Sequence, residues 1–231
     1  MRISELTQSK AYLSSINNTK TEIQKLQTQI STQSMINKPS DSPSGTARIL
    51  RLNEYIVANE TYSKNIENGI SFLDITIMTM ESIQQELQNA EVLFTRINNA
   101  ENDTNLTVFA DQVKYTLDSI LKLANTNFDG RYLFGGTDYS TEPYGFNNDG
   151  SLIEQKIPDA SGEHKIKISN NVTQKINISG KELFGDIDGN DIFNILKTIE
   201  ENLRNGIKPS SAQADAVKNI NTNVLNQLTA A

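Results

Sequence analysis

The chain has 231 residues, of which 36% are hydrophobic and 6% aromatic, with no Trp, so its composition suits thin packing of long helices better than one large core. Its formal net charge of -7, without a basic run, disfavours nucleic acid as a partner. The absence of cysteine excludes disulfides, thiolate zinc sites and thiol nucleophiles.

The N-terminal residues predict a helix with a thin apolar stripe. The segment lacks the apolar stretch of a cleaved secretory signal, and no run in the chain approaches the roughly 18 apolar residues of a membrane span. Residues 3–36 carry apolar side chains mostly three, four or seven apart. Such a polar helix has little to hold it alone, so we expect the stripe to make assembly contacts with a partner; a surface helix of the same domain is the alternative. The predicted contacts are Ile3, Leu6, Leu13, Ile16, Ile23, Leu26 and Ile30.

A turn rich in proline and serine then leads to a much longer helix. Residues 38–45 hold two prolines and a glycine, which end the first helix. The N-cap candidates in this turn are Ser40, Asp41, Ser42 and Ser44. From Thr46 to about Asn98 there is no proline, which predicts a helix on the order of 80 Å long.

This long helix carries a heptad seam that requires a neighbouring helix along its length. The predicted rod seam is Leu52, Ile66, Leu73, Met80, Leu87 and Phe94. Two adjoining rows are Ile56, Ile70 and Ile77, and Ile83, Ala90 and Ile97. A third helix, predicted from about Thr104 to Phe128, has an apolar face suited to packing back on the seam.

From residue 129 the pattern changes to short segments separated by glycine and proline. Ile166 alternates with Ile168, and Ile176 alternates with Ile178, which predicts two strands. A helix follows from Asp191 to about Asn205, and a capping box opens a last helix. The residues of that capping box are Ser210 and Gln213.

These elements predict a mainly α fold, with a long antiparallel coiled-coil-like helical rod and a small inserted β-rich domain. The predicted domains are an N-terminal assembly helix and turn (1–44), the helical hairpin of the rod (45–128), an outer β-rich domain (129–190) and return helices to the rod (191–231). Because the last helix stops in mid-pattern, we expect a truncated chain whose first helix is weakly packed.

The candidate chemical sites favour structural explanations. His164 is the single histidine, and we expect it to be an exposed strand residue rather than a base or ligand. Residues 186–191 are acidic and contain a glycine, but their spacing departs from an EF-hand loop, so we expect a turn followed by an Asp191 N-cap. No metal, cofactor or catalytic residue is predicted.

Two stretches resemble a known family. They are NIENGISFL at residues 65–73 and LANTNFDGRYLFGGT at residues 123–137. Together with KPSDSP at 38–43, Pro143-Tyr144 and DIFNILKTIEENL at 191–203, they resemble the bacterial hook–filament junction proteins, the flagellin-like hook-associated protein 3 family.

The resemblance implies a non-enzymatic, extracellular component of the bacterial flagellum. It implies export through the flagellar type III channel with a chaperone, and assembly as a ring between the hook and the flagellin filament. The implied neighbours are flagellin and the other hook-associated junction protein. It also implies a C-terminal helix, beyond this chain, that pairs with the first helix. Two alternatives stay open: a flagellin-type filament subunit, and a secreted adhesin that displays the 129–190 module on a helical stalk.

Overall fold

The computed structural model describes residues 4–99, 106–138, 140–147, 153–157, 161–185 and 191–230. The helices in these ranges are α1 (Ser4–Thr32), α2 (Pro43–Asn99), α3 (Leu106–Ala124), α4 (Gly180–Phe184), α5 (Ile192–Arg204) and α6 (Ser211–Ala230). The mainly α class with a small β portion is therefore confirmed. The chain divides into two compact units, Met1–Thr61 and Tyr62–Ala231, and α2 contributes residues to both. No described helix is long and apolar enough to cross a membrane.

The turn between α1 and α2 differs in detail from its prediction. Gln33 adopts a left-handed conformation with φ of 53°, which ends α1 before residue 36. The second helix begins at Pro43 rather than Thr46, because proline is tolerated at the first position of a helix. Among the four N-cap candidates, Ser42 takes the role: its Oγ accepts the Gly45 N–H at 3.1 Å.

In the Tyr62–Ala231 unit, one face of α2 is buried in the core. The buried apolar residues of this face are Phe72, Met80, Ile83, Leu87, Ala90, Leu93, Phe94 and Ile97. The matching face of α3 is Leu106, Ala110, Val113, Leu117, Ile120 and Ala124, all buried. Both sets recur at three- and four-residue intervals, so each helix presents one apolar side to its neighbours.

Polar bonds link α2 to the helices beside it. Ser119 of α3 donates to Glu86 at 3.0 Å, and Asn221 of α6 donates to Glu91 at 2.9 Å. The Ser210–Gln213 capping box ahead of α6 is present, with the Gln213 N–H on Ser210 Oγ at 3.3 Å and the Ser210 N–H on Gln213 Oε1 at 3.0 Å. The first two bonds add polar links between helices that already pack through their apolar faces, and the capping box stabilises the start of α6.

An aromatic cluster joins α5 to the β-rich part of the chain. Tyr144 and Phe193 lie 4.9 Å apart between ring centroids, and Phe184 contacts both rings as well as Phe134. Burial and the nearby Asp191 carboxylate raise the pKa of Tyr144 above its usual value, so its hydroxyl stays protonated. The cluster gives the short strands a core that they could not form alone.

The described strands form antiparallel pairs: β1 (Asn127–Phe128) with β2 (Arg131–Tyr132), β3 (Tyr144–Phe146) with β4 (Ile153–Gln155), and β5 (Lys165–Ser169) with β6 (Val172–Lys175). Asp129 and Gly130 both have positive φ and close β1–β2 as a two-residue hairpin turn. The strand predicted around Ile176 and Ile178 instead ends at Lys175. The chain turns from there towards α4, although the Ile176 N–H still donates to the His164 carbonyl at 2.9 Å.

Candidate assembly surface

The apolar stripe of α1 is exposed along its whole described length. Its six described members are 46 to 78% exposed, whereas apolar side chains of this size are usually buried in stable domains. They are Leu6, Leu13, Ile16, Ile23, Leu26 and Ile30; the seventh predicted contact, Ile3, lies outside the described residues. We call this set the α1 stripe. A stripe left in water along one helix is a surface available to a partner.

Several threonines of α1 form hydrogen bonds only within the helix. Thr19, Thr21, Thr28 and Thr32 each donate their hydroxyl to the carbonyl four residues earlier, at 2.8 to 3.0 Å. Such bonds satisfy the hydroxyls within the helix and create no tertiary contact. The α1 stripe is therefore the part of this helix that can contribute apolar burial to an assembly.

A carboxylate organises the turn that follows α1. Asp41 accepts the N–H groups of Lys38 at 3.0 Å and Asn37 at 3.1 Å, and Lys25 of α1 lies 3.4 Å away. The backbone hydrogen bond from Lys38, followed by that from Asn37, lowers the pKa of Asp41 below its usual 3.8. The turn thus holds a fixed conformation next to the C-terminal half of α1.

The sequence analysis missed a second exposed apolar group in the same unit, at the start of α2. These residues are Ile49, Leu50, Tyr55 and Val57, alongside the predicted Leu52 and Ile56, and all are more than 40% exposed. The sequence did contain a signal for this surface: adjacent apolar residues such as Ile49 and Leu50, which a single heptad seam does not require.

The predicted rod seam is divided between core and surface. Met80, Leu87 and Phe94 are at most 2% exposed, and Leu73 packs partly buried against the core. Leu52 and Ile66 are 50% and 39% exposed. The role of the seam as a whole stays a prediction.

The NIENGISFL stretch attaches the β5–β6 hairpin to α2. Asn65 donates to the Lys167 carbonyl at 2.9 Å, and Phe72 faces the His164 ring at 6.3 Å between centroids. A Cβ built on Gly69 would lie 2.6 Å from the Cδ1 of Ile166, so glycine leaves room for this side chain of the hairpin against the helix. Nothing in the local pattern of the sequence indicated this contact between residues about a hundred positions apart.

His164 is half-buried at a cleft rather than an exposed strand residue, and it precedes β5. The cleft has a volume of about 470 Å³ and lies between α2, the β1–β2 turn and the β5–β6 hairpin. Burial, and then the charge of Arg131, lower the pKa of His164 below 6.5, so the imidazole is neutral at physiological pH.

The acidic segment before α5 does not form a cation site with the residues that the structure describes there. Asp191 is the N-cap of α5, and its carboxylate accepts the Asn194 N–H at 2.9 Å, as expected. Residues 186–190 lie outside the described ranges. Within the part of the chain that the structure describes, no group of three or more His, Cys, Asp or Glu side chains could hold a metal ion.

Solved structures share this fold. A protein of Vibrio parahaemolyticus assigned as flagellar hook-associated superimposes with a TM-score of 0.70, at 22% identity over 83% of this chain and 87% of that one. Bacillus cereus FlgL gives a TM-score of 0.63, at 20% identity over 80% of this chain and 87% of that one. At these identities the likeness concerns the fold.

Sequence comparison also finds relatives that are flagellar hook-associated proteins. The flagellar hook-associated protein 3 of Salmonella typhimurium is 23% identical over 197 residues, and that of Escherichia coli is 24% identical over 194 residues. Each alignment covers 82% of this chain but 59% of the relative's length. Residues 3–138 match the bacterial flagellin N-terminal helical region, which is more than half of the 231 residues. The chain therefore belongs to the family defined by the bacterial flagellin N-terminal helical region.

Proposed function

We propose that this chain is a structural subunit of the bacterial flagellum that joins the hook to the flagellin filament. The proposed partners are flagellin, the other hook-associated junction protein and further copies of the chain in a ring. The proposal includes export through the flagellar type III channel with a chaperone, and it assigns no catalytic activity, cofactor or metal to the chain.

The observation that carries this proposal is the exposed α1 stripe within a member of the flagellin helical family. Burying one large apolar side chain is worth about 1.5–3 kcal/mol, so six of them supply a strong drive for helix–helix association. A subunit that polymerises needs such a surface on its terminal helix, and an isolated globular protein does not. The names of the relatives favour the junction over the filament itself.

The stripe can be tested by complementing a deletion strain with the full-length gene. We expect Leu13→Glu combined with Ile23→Glu to leave hooks without filaments and to shed unpolymerised flagellin into the medium, because charges cannot be buried between helices. Ser14→Glu combined with Asn18→Glu, exposed on the opposite face of the same helix, is the matched control and should restore filaments. Normal filaments with the stripe variant, exported at wild-type levels, would refute the proposal.

The family match also allows a filament subunit, and adding the protein to isolated hooks distinguishes this alternative from a junction protein. Purified full-length protein should add only a short cap to isolated hooks. Growth of long filaments would identify a flagellin instead, because a filament subunit must bind its own copies without limit. Unchanged motility in the deletion strain, with a host ligand bound by the 129–190 module, would favour the adhesin hypothesis.

A further inference from the structure

The cleft beside α2 combines an apolar wall with the guanidinium of Arg131 and the imidazole of His164. Phe72 and Ile176 are buried in its wall, together with the partly buried Ile166. Arg131 and His164 line the same cleft, and the charge of Arg131 acts on His164. A volume of about 470 Å³ lies within the range of small-ligand sites.

Arg131 is free to take an anion. Its side chain is exposed, and it forms no ion pair with any carboxylate in the described ranges. Of the carboxylates nearby, Glu163 pairs with Lys165, whereas Asp129 lines the cleft and its charge opposes a bound anion. Lys175 of the hairpin pairs with Glu182 at 3.6 Å, so its charge is also engaged.

We propose that this cleft binds a carboxylate carried on an apolar group, with the carboxylate at Arg131 and His164 and the apolar group against Phe72 and Ile176. Arginine suits a carboxylate because its planar fork can donate two parallel hydrogen bonds. The buried apolar wall adds affinity for the attached group and distinguishes such a ligand from inorganic anions. Nothing in the proposed junction role requires this site.

The single histidine provides a specific reporter. A bound carboxylate would offset the charge of Arg131, which is one of the two influences that lower the pKa of His164, so binding should raise that pKa. The imidazole resonance can be followed without overlap because no other histidine is present. The probe is 3-phenylpropionate. Three compounds serve as comparisons: acetate lacks the apolar group, 3-phenylpropanol lacks the charge, and phenethylamine carries the opposite charge.

We expect 3-phenylpropionate to shift the His164 resonance saturably and to raise its pKa, and the three comparison compounds to bind at least tenfold more weakly. Arg131→Gln should weaken the binding of 3-phenylpropionate about tenfold or more, because the substitution removes a charged hydrogen-bond donor. Arg96→Gln, an exposed arginine of α2, is the matched control and should leave affinity unchanged. Asp129→Asn should strengthen binding, since it removes a repelling charge.

A carboxylate on an apolar group could belong to a small acid or to the C-terminus of a protein chain, and the experiment distinguishes the two. A short peptide ending in Phe with a free carboxylate, compared with its C-terminal amide, tests a protein chain end against a free small acid. Equal or tighter binding of the free peptide assigns the site to a chain end; binding of 3-phenylpropionate alone assigns it to a small acid. No saturable shift with either probe, or equal binding to the wild type and Arg131→Gln, would overturn the proposal.

Discussion

At the residue scale, Gly69 shows how one missing side chain can position a module. Glycine inside a helix costs about 1 kcal/mol relative to alanine, so its place in the middle of α2 needs a reason. The reason is Ile166 of the β5–β6 hairpin, whose Cδ1 would lie 2.6 Å from a Cβ at this position. The absence of a side chain at Gly69 lets Ile166 pack directly on α2.

We predict that Gly69→Leu destabilises the protein by about 1–3 kcal/mol, because the larger side chain displaces Ile166. The cost should fall by at least half in an Ile166→Ala background, where the space is free, and a double-mutant cycle in urea measures this coupling. Glu67→Leu, exposed on the same helix, is the control and should be nearly neutral. An equal cost for Gly69→Leu in both backgrounds would show that the contact with Ile166 is not the cause.

At Glu200, burial and hydrogen bonding act on the pKa of the carboxyl group in opposite directions. Its side chain is 5% exposed, and it accepts from Lys197 at 2.8 Å and from Arg204 at 2.7 Å. Burial alone would raise its pKa, but the hydrogen bonds from Lys197 and Arg204 outweigh burial and lower the pKa below the usual 4.5.

We predict a pH-dependent loss of stability at this site. Because the pKa is lower in the folded chain, the unfolded chain binds more protons as the pH falls below 4.5, and the stabilisation present above that value is lost. Glu200→Gln should cost about 1–3 kcal/mol at neutral pH and flatten the loss of stability below pH 4.5, as measured by urea unfolding. Glu201→Gln, the 53% exposed partner of Lys197, should change neither by more than about 0.5 kcal/mol. An unaltered acid limb in Glu200→Gln would contradict this assignment.

At the scale of elements, the helices differ in what holds them. Residues 192–196 at the start of α5 are all buried, whereas the large apolar side chains of α1 face water. The polar side chains of α1 bond to their own helix or, as with Lys25 and Gln29, to the turn that follows it. A helix without tertiary burial has only its intrinsic propensity to stabilise it, which is marginal in water.

We therefore predict that, in the isolated monomer, the amides of α1 exchange with deuterium at least about a hundredfold faster than those of α5. Hydrogen exchange followed by mass spectrometry measures both helices in one sample. Protection of α1 should appear on incorporation into the assembled flagellum. Strong protection of α1 in the monomer would mean that the α1 stripe is not a free surface.

Elements were predictable from the sequence where a period or a cap was local. The faces of α2 and α3, the Asp191 N-cap and the Ser210–Gln213 capping box follow from spacings of three, four or seven residues. The position of His164 and the cleft were not predictable, because they depend on residues far apart in sequence. The strand around Ile176 was misplaced because apolar alternation continues beyond the last ladder residue, Lys175.

At the scale of the whole molecule, each compact unit has its own character. In the Tyr62–Ala231 unit, buried faces of several helices and an aromatic cluster form a continuous core. In the Met1–Thr61 unit, the large apolar side chains are exposed on α1 and on the first turns of α2. The Met1–Thr61 unit therefore exposes the apolar surface on which the proposed assembly rests, whereas the Tyr62–Ala231 unit buries its apolar residues within the chain.

The most direct test of the proposed junction role is to locate the protein on intact flagella. Immunogold electron microscopy of cells that carry a small epitope in the 129–190 module should show one short labelled band between hook and filament. An untagged strain is the control for background labelling. Label distributed along the whole filament, or absent from flagella, would contradict the proposal.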